Sequence, residues 1–365
     1  MTGGAAAREG EAMKRTIRTL ALAAALVAAA VNPAAAAVEL CAALDGSGSI
    51  SAAQFALQLE GLARAVEDPA VVARDGSVTL SVVVFMWGAA VEVPATVVGS
   101  ETDALALAAA VRAIPPVPWP LNHRTDMVAA IQACVGQFRD PAARWVIDVS
   151  TDGGHSASLG SDPLAARDAA VDAGLDALNA LGVGAADFAF LEQLVWPQPA
   201  SPPPGDGFVV AVPDFAAYVE AMREKVRTEV AFEVAVDVKP GSCPNPFLVG
   251  GNGLLPLAVL GGPGFDAASV DPATVRLAGV PAVSWSLEDV AAPSGQRPDS
   301  CLSCTTAGPD GFVDLVLHVD RLELGAAIGD AGDGACLLVE VRGNLLPAAG
   351  GGPIRGADVL RVQRH

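Results

Sequence analysis

The chain has 365 residues, 52% of them hydrophobic, which is long and apolar enough for two domains with buried cores. Its 41 acidic residues outnumber its 22 basic ones and give a net charge of −19. Nucleic acids and anionic membrane surfaces are therefore excluded as expected partners, because both would be repelled.

The first segment, residues 1–37, has the pattern of a signal peptide. Basic side chains precede a short apolar stretch, residues 20–31, and small residues follow it at 34–37. The apolar stretch is too short for a membrane anchor, and no later stretch is long enough to span a bilayer. We expect a secreted or periplasmic protein that does not insert into a membrane once this segment is removed.

Six cysteines in an exported chain predict disulfides. The spacing of Cys301 and Cys304 also fits a zinc knuckle or a redox pair, but no His or second such pair follows closely. A structural disulfide framework is therefore favoured over a metal site, with its pairing left open. The first domain holds two cysteines and the second holds four: Cys41 and Cys134, then Cys243, Cys301, Cys304 and Cys336.

Strands and helices alternate in the first part of the chain. The apolar run at 38–44 predicts a buried strand, and Ser51 can cap a helix that ends near Asp68. This alternation predicts a mostly parallel sheet with helices on both faces. Further strands are expected at 77–85, 90–98, 142–150, 175–181 and 208–212, and further helices at 102–114, 127–138, 163–173, 187–194 and 214–230.

A loop with alternating oxygen side chains follows the first strand. Asp45, Ser47 and Ser49 are separated by glycines that allow a tight bend, so three oxygens can face one point. Loops at the carboxyl edge of such a sheet bind ligands. Oxygen ligands of low total charge suit a hard divalent cation such as Mg²⁺.

This loop resembles the metal-ion-dependent adhesion site of von Willebrand factor A domains, which reads Asp-x-Ser-x-Ser. That family completes the site with a Thr from a second loop and an Asp from a third, and Thr125 and Asp152 stand at those places. The resemblance implies a Rossmann-like α/β domain over 38–231. It also implies a metal site for Mg²⁺, or Mn²⁺ or Ca²⁺, and a protein partner whose acidic side chain completes the coordination. The implied ligands are Asp45, Ser47, Ser49, Thr125 and Asp152.

Two alternatives remain open for these loops. Asp148 is a rival for Asp152 as the third-loop ligand, although it lies inside an apolar strand. A hydrolase could use Ser47 or Ser49 as nucleophile with His155 as base. Catalysis is not expected, however, because the Gly-x-Ser-x-Gly elbow and the P-loop lysine are absent from the sequence.

The pattern changes at residue 232 to short strands separated by Gly, Pro and Asn turns, which predicts an antiparallel, sandwich-like domain over 232–365. The segment 239–246 and the later Asp-containing turns resemble a β module found at the carboxyl end of many exported bacterial and archaeal proteins. Four aspartates could bind Ca²⁺, but EF-hand spacing is absent and Asp-Gly turns explain them more simply: Asp310, Asp314, Asp330 and Asp333. The expected strands are 232–238, 255–260, 274–277, 312–319, 336–341 and 358–362.

Overall fold

The structure is a computed structural model that describes residues 37–117, 124–198, 207–296 and 298–364. The predicted signal peptide lies outside the described residues except for Ala37. Within the described ranges, no helix is both long enough and apolar enough to cross a membrane.

The first lobe, which we call the α/β lobe, is a six-stranded sheet with helices on both faces. The strand order is β3-β2-β1-β4-β5-β6, and every pairing is parallel except that of β3 with β2. This confirms the predicted fold class. The elements are β1 (Val38–Asp45), α1 (Ala52–Glu67), β2 (Val78–Met86), β3 (Gly88–Val97), α2 (Glu101–Arg112), α3 (Met127–Val135), β4 (Arg144–Thr151), α4 (Pro163–Asp172), β5 (Ala177–Val183), α5 (Phe188–Leu194), β6 (Val209–Val212) and α6 (Phe215–Glu229).

Two hydrophobic clusters cover the two faces of this sheet. One packs α1, α2 and α6 against β1 and β2, and the other packs α3, α4 and α5 against β4 and β5. The buried strands read as continuous apolar runs because both of their faces are covered.

Helix α1 illustrates how the sequence produces these elements. Ser51 accepts a hydrogen bond from the Gln54 N–H, and the Gln54 side chain accepts one from the Ser51 N–H, which forms a capping box. Phe55, Leu59 and Leu62 recur at helical spacing and are buried against the sheet. The predicted cap and the predicted apolar stripe are therefore both present.

The second lobe, which we call the β module, is a nine-stranded sheet that curves around one core. The main path is β7-β15-β14-β11-β12-β13-β10-β8, with β9 beside β15, and β8 also contacts β15. All pairings are antiparallel except those of β7 and β9 with β15. The elements are β7 (Phe232–Glu233), β8 (Val236–Val238), β9 (Pro246–Leu248), β10 (Leu254–Val259), β11 (Val270–Leu277), β12 (Val280–Glu288), β13 (Asp314–Asp320), α7 (Arg321–Ala327), β14 (Cys336–Leu345) and β15 (Pro353–Gln363).

Three elements of the β module were not expected from the sequence: β9, β12 and α7. The sequence pattern did not predict β12, because Val283 and Trp285 are exposed rather than part of a buried stripe and Pro281 lies near the start of the strand. Helix α7 is short and depends on the Asp320 cap, whose carboxylate accepts from two backbone N–H groups.

Three disulfides are present, as the cysteine count predicted. Cys41 on β1 pairs with Cys134 on α3, and no described cysteine is free. In the β module the bonds join Cys243 to Cys304 and Cys301 to Cys336. Cys301 and Cys304 therefore belong to two different disulfides, which fits the structural framework rather than a zinc knuckle.

The two lobes contact each other through the loop after α1 and the last turns of α6. Asn344 on β14 donates to the Ala70 carbonyl at 2.8 Å and accepts from Arg227 at 3.0 Å. On the same strand, Arg342 pairs with Glu224 of α6 at 2.5 Å. Polar bonds thus fix the β module to the α/β lobe.

Replacing Asn344 with Ala should weaken this junction by about 1–3 kcal/mol, because the Ala70 and Gly351 carbonyls lose the donor that the buried Asn344 side chain provides. Urea unfolding followed by fluorescence measures the loss. The exposed Asn252, changed to Ala, is the matched control and should leave stability unchanged. Equal effects of the two changes would show that the junction bonds contribute nothing.

Candidate metal site

The loops predicted to bind metal meet at the carboxyl ends of β1 and β4. These strands are parallel neighbours, and Leu44 lies beside Ser150 in their register. Asp45 ends β1, and Asp152 follows directly after β4. Because the carboxyl ends of parallel strands lie at one edge of the sheet, residues about one hundred positions apart in sequence are brought together there.

Asp45 is fully buried at the base of this site. Its Oδ1 accepts from the Ser47 N–H at 2.7 Å, and its Oδ2 accepts from the Thr151 hydroxyl at 2.7 Å. The Gln58 side chain on α1 donates to the Asp45 backbone carbonyl at 2.9 Å. Burial raises the pKa of Asp45 to about 6, although the hydrogen bonds from Thr151 and Ser47 oppose that rise. The hydrogen-bond donors to the carboxylate are neutral, so they orient its charge without cancelling it.

The two serines connect Asp45 to the surface. Ser47 is buried and its Oγ lies 3.2 Å from the Ser49 Oγ. Ser49 is exposed and donates to the Asp152 Oδ1 at 2.7 Å. Hydrogen bonds therefore link the four residues from the interior to solvent, first through the Ser47 backbone N–H and then through side-chain oxygens.

Thr125 lies in the second loop and is held by its backbone. Its N–H donates to the Ser156 Oγ and its carbonyl accepts from the Ser156 N–H, each at 2.9 Å. The next residue, Asp126, donates its N–H to Met86 at the end of β2 and caps α3. Thr125 is thus tied to the loop that carries Asp152. Its assignment as a fifth ligand stays a prediction, as does that of the other four residues.

Sequence reasoning missed Thr151 and Gln58. Thr151 directly precedes Asp152, and its hydroxyl is what fixes the Asp45 carboxylate. Gln58 falls on the apolar stripe of α1, between Phe55 and Leu62, and a polar residue in that position is the signal that could have identified it.

The donor set fits a hard divalent cation. Carboxylate and hydroxyl oxygens are the ligands that Mg²⁺ and Ca²⁺ take, whereas Zn²⁺ and copper prefer nitrogen and sulfur. Among the described residues, no group of three or more His, Cys, Asp or Glu side chains could hold a metal. The predicted ligand set contains only two carboxylates, Asp45 and Asp152, and its other members are neutral hydroxyls, so it is not a group of that kind.

In these loops, His155 does not contact the serines that the hydrolase alternative would use as nucleophile. The His155 Nδ1 accepts from the Met127 N–H at 3.3 Å, and its Nε2 lies 3.3 Å from the Ser161 hydroxyl. The ring thus contacts Met127 and Ser161 rather than Ser47 or Ser49. The proposed base and nucleophile are not hydrogen bonded as that mechanism requires.

Asp148, the rival of Asp152, lies in the interior instead of the loops. Its carboxylate is 2.6 Å from the Lys225 ammonium, which also contacts Glu229 at 2.5 Å, and all three side chains are fully buried. On the same helix, Tyr218 donates to the Ser150 hydroxyl at 2.8 Å. Asp148 therefore serves a buried charge cluster that joins α6 to β4.

Mild acid should stabilise the protein when chelator has removed all metal. Burial raises the pKa of Asp45 and Asp358 to about 6, and that of Glu229 and Asp237 to about 7. The unfolded values lie at about 4, so the folded state binds these protons more tightly. The resulting stability is full below about pH 4 and is lost as pH rises through 6 and 7. We expect a higher Tm at pH 6 than at pH 8, and a smaller difference in Glu229→Gln. A Tm that is higher at pH 8 would contradict this.

The family model described as a protein of unknown function (DUF1194) matches residues 35–234, more than half of the chain. A search of curated proteins finds no match. The likeness to the solved structures that follow concerns the fold.

Three of these structures cover between 53% and 90% of the chain. Proximal thread matrix protein 1 from the mussel byssus, with a zinc-occupied MIDAS motif, is 15% identical over 58% of this chain and 51% of its own, with a TM-score of 0.43. A von Willebrand factor type A protein from Catenulispora acidiphila is 14% identical over 90% and 67%, with a TM-score of 0.40. BatB from Bacteroides thetaiotaomicron is 18% identical over 53% and 98%, with a TM-score of 0.40. This chain thus spans about half the length of the mussel protein.

The α/β lobe thus has the mostly parallel sheet with helices on both faces that the resemblance implied, and an all-β domain follows it. The chain belongs to the family described as protein of unknown function (DUF1194).

Proposed function

We propose that the chain is an exported binding protein that holds one divalent cation at its metal loops and engages an acidic side chain of a protein partner. The ligands would be Asp45, Ser47, Ser49, Thr125 and Asp152. The observation that carries this proposal is the set of hydrogen bonds that links Asp45, Ser47, Ser49 and Asp152, which come from loops far apart in sequence.

Each residue has a distinct part in this proposal. Asp45 supplies a buried negative charge whose orientation is fixed by Thr151 and Ser47. Ser47 and Ser49 supply neutral oxygens, so the only charges that the protein contributes to the site are those of the Asp45 and Asp152 carboxylates. Mg²⁺, Mn²⁺ or Ca²⁺ at this place would supply an open coordination position for a partner's carboxylate. This would overcome the repulsion between that carboxylate and an acidic protein.

The same proposal assigns the chain to three segments and to a location outside the cytoplasm. Residues 1–37 would be the signal peptide, 38–231 the metal-binding domain and 232–365 the β module. The disulfides support an oxidising compartment, either secreted or periplasmic, because such bonds persist there. Neither nucleic acid nor a membrane surface is proposed as a partner.

A thermal-shift experiment tests the metal site. Mg²⁺ or Mn²⁺ added to chelator-treated protein should raise the Tm, since a ligand that binds only the folded state stabilises it by about 2.7 kcal/mol at a hundred times its Kd. Asp45→Asn keeps the shape of the side chain and should remove most of this rise. The exposed Asp330, changed to Asn, is the charge-matched control and should respond like the wild type.

A second measurement addresses the partner. Binding to the native cell surface should be lost with chelator and with Asp45→Asn, and retained with Asp330→Asn. Binding that survives both treatments would contradict the bridging role of the ion. Turnover of an ester substrate that is lost in Ser47→Ala would instead favour the hydrolase.

A further inference from the structure

A second group of buried acids lies in the β module, apart from the metal loops. Asp237, Asp314 and Asp358 are at most 4% exposed, and they lie on β8, β13 and β15. Asp314 is satisfied by backbone donors, because its Oδ1 accepts from Gly261 at 2.9 Å and its Oδ2 from Val290 at 2.8 Å. It therefore has a structural role, as the turn interpretation of this aspartate predicts.

Asp358 is the point at which three segments meet. Its Oδ2 accepts from the Val238 N–H at 2.7 Å and from the Asn245 amide at 3.1 Å. Val238 belongs to β8, and Asn245 precedes β9. Asp237 directly precedes Val238, so the Asp237 backbone and the Asn245 amide both lie near the Asp358 carboxylate.

Asp237 and Asn245 carry acceptors without donors. Both carboxylate oxygens of Asp237 and the side-chain oxygen of Asn245 are buried and have no hydrogen-bond donor among the described residues. Asp237 is 2% exposed and Asn245 is fully buried. The charges that act on the Asp237 carboxyl are those of Asp358 and Asp314, which are negative like its own. A buried carboxylate left in this condition is strongly disfavoured.

We propose that Asp237, Asn245 and Asp358 bind a divalent cation of the Ca²⁺ class. Asp237 and Asn245 contribute three buried oxygens without donors, and Asp358, whose oxygens accept from Val238, Asn245 and Val359, adds a second carboxylate. An amide oxygen beside carboxylates is a common Ca²⁺ ligand set. Thiolate ligands are excluded because the described cysteines are all in disulfides. The nearby Lys239 directs its ammonium to the Pro246 carbonyl at 3.4 Å, so that bond does not neutralise the acids.

This site would have a structural effect that differs from that of the metal loops. It joins β8, which lies at one end of the curved sheet, to β15 and the segment before β9, which lie near the other end. An ion held there would close the β module around its core. The proposal does not depend on the proposed function of the α/β lobe.

Calorimetric titration of the full chain with CaCl₂ after chelator treatment tests the site, using Asp45→Asn as the background so that the metal loops do not contribute. We expect one Ca²⁺ per chain and a rise in Tm. Adding Asp237→Asn should weaken binding at least tenfold and remove the Tm rise. The exposed Asp172 of α4, changed to Asn in the same background, should leave both unchanged.

Asp237→Asn also reports on folding, because removal of an uncompensated charge should keep or raise the Tm of the chelated protein. Asp358→Asn is the second variant and should weaken Ca²⁺ binding to a similar degree. No Ca²⁺ binding in the Asp45→Asn background would overturn the proposal, and so would unchanged binding after Asp237→Asn. Either result leaves the metal loops of the α/β lobe untouched.

Discussion

Replacing Lys225 with Met should destabilise the protein by about 3–5 kcal/mol, because it leaves two buried carboxylates without their cation. The Lys225 ammonium lies between Asp148 and Glu229, and all three side chains are fully buried. Denaturant unfolding at pH 8 measures the effect, since both acids are then charged in the unfolded chain.

The matched control is Arg64→Met, which removes a cation from an exposed pair with Glu60 on α1. That change should cost less than about 1 kcal/mol. The double variant Lys225→Met with Glu229→Gln should recover part of the lost stability, because only one buried carboxylate then lacks its cation. Similar losses for Lys225→Met and Arg64→Met would show that the buried cluster adds nothing beyond a surface pair.

Removing the Cys41–Cys134 disulfide should cost about 3–5 kcal/mol, because the bond spans 93 residues and restricts a long loop in the unfolded chain. Changing both cysteines to Ala avoids a free thiol. The disulfide also joins β1, which leads into the Asp45 loop, to α3, which follows Thr125. We therefore expect weaker Mg²⁺ binding together with the lower stability.

Replacement of Cys243 and Cys304 by Ala is the comparison for this prediction, since that bond lies in the β module. It should leave Mg²⁺ binding at the metal loops unchanged. A Cys41–Cys134 variant with wild-type urea midpoint and wild-type Mg²⁺ affinity would contradict both parts of the expectation.

The sequence predicted the α/β lobe well because its information is local. The apolar run of β1, the Ser51 cap and the stripe of α1 each lie within one element. In the β module, β9 was missed because it has only three residues, and β12 because it is largely exposed. There, residues depend on partners far along the chain instead of on their own periodicity.

The charged residues of α6 illustrate the same limit. Helical spacing places Lys225 and Glu229 on the stripe of Tyr218 and Met222, which could have indicated burial. No local pattern identifies Asp148, 77 positions earlier, as their partner. Likewise, spacing could not decide which of Cys301 and Cys304 pairs with Cys336.

The same limit applies to the predicted metal site, because only some of its residues form a local sequence pattern. The Asp45, Ser47 and Ser49 pattern is local and could be read directly. Joining it to Asp152 required the family resemblance, and the structure provides a hydrogen bond between Ser49 and Asp152. Thr125 depends on how two loops approach each other, which a single sequence does not encode in any short pattern.

The attachment of the β module determines how a ligand can approach. Helix α1 starts beside the Asp45 loop and runs to the far edge of the sheet, where Ala70 meets Asn344. The β module is therefore attached at the edge of the sheet opposite the one that carries the metal loops. Among the described residues, the β module therefore leaves the side of the sheet that carries those loops open to the partner proposed above.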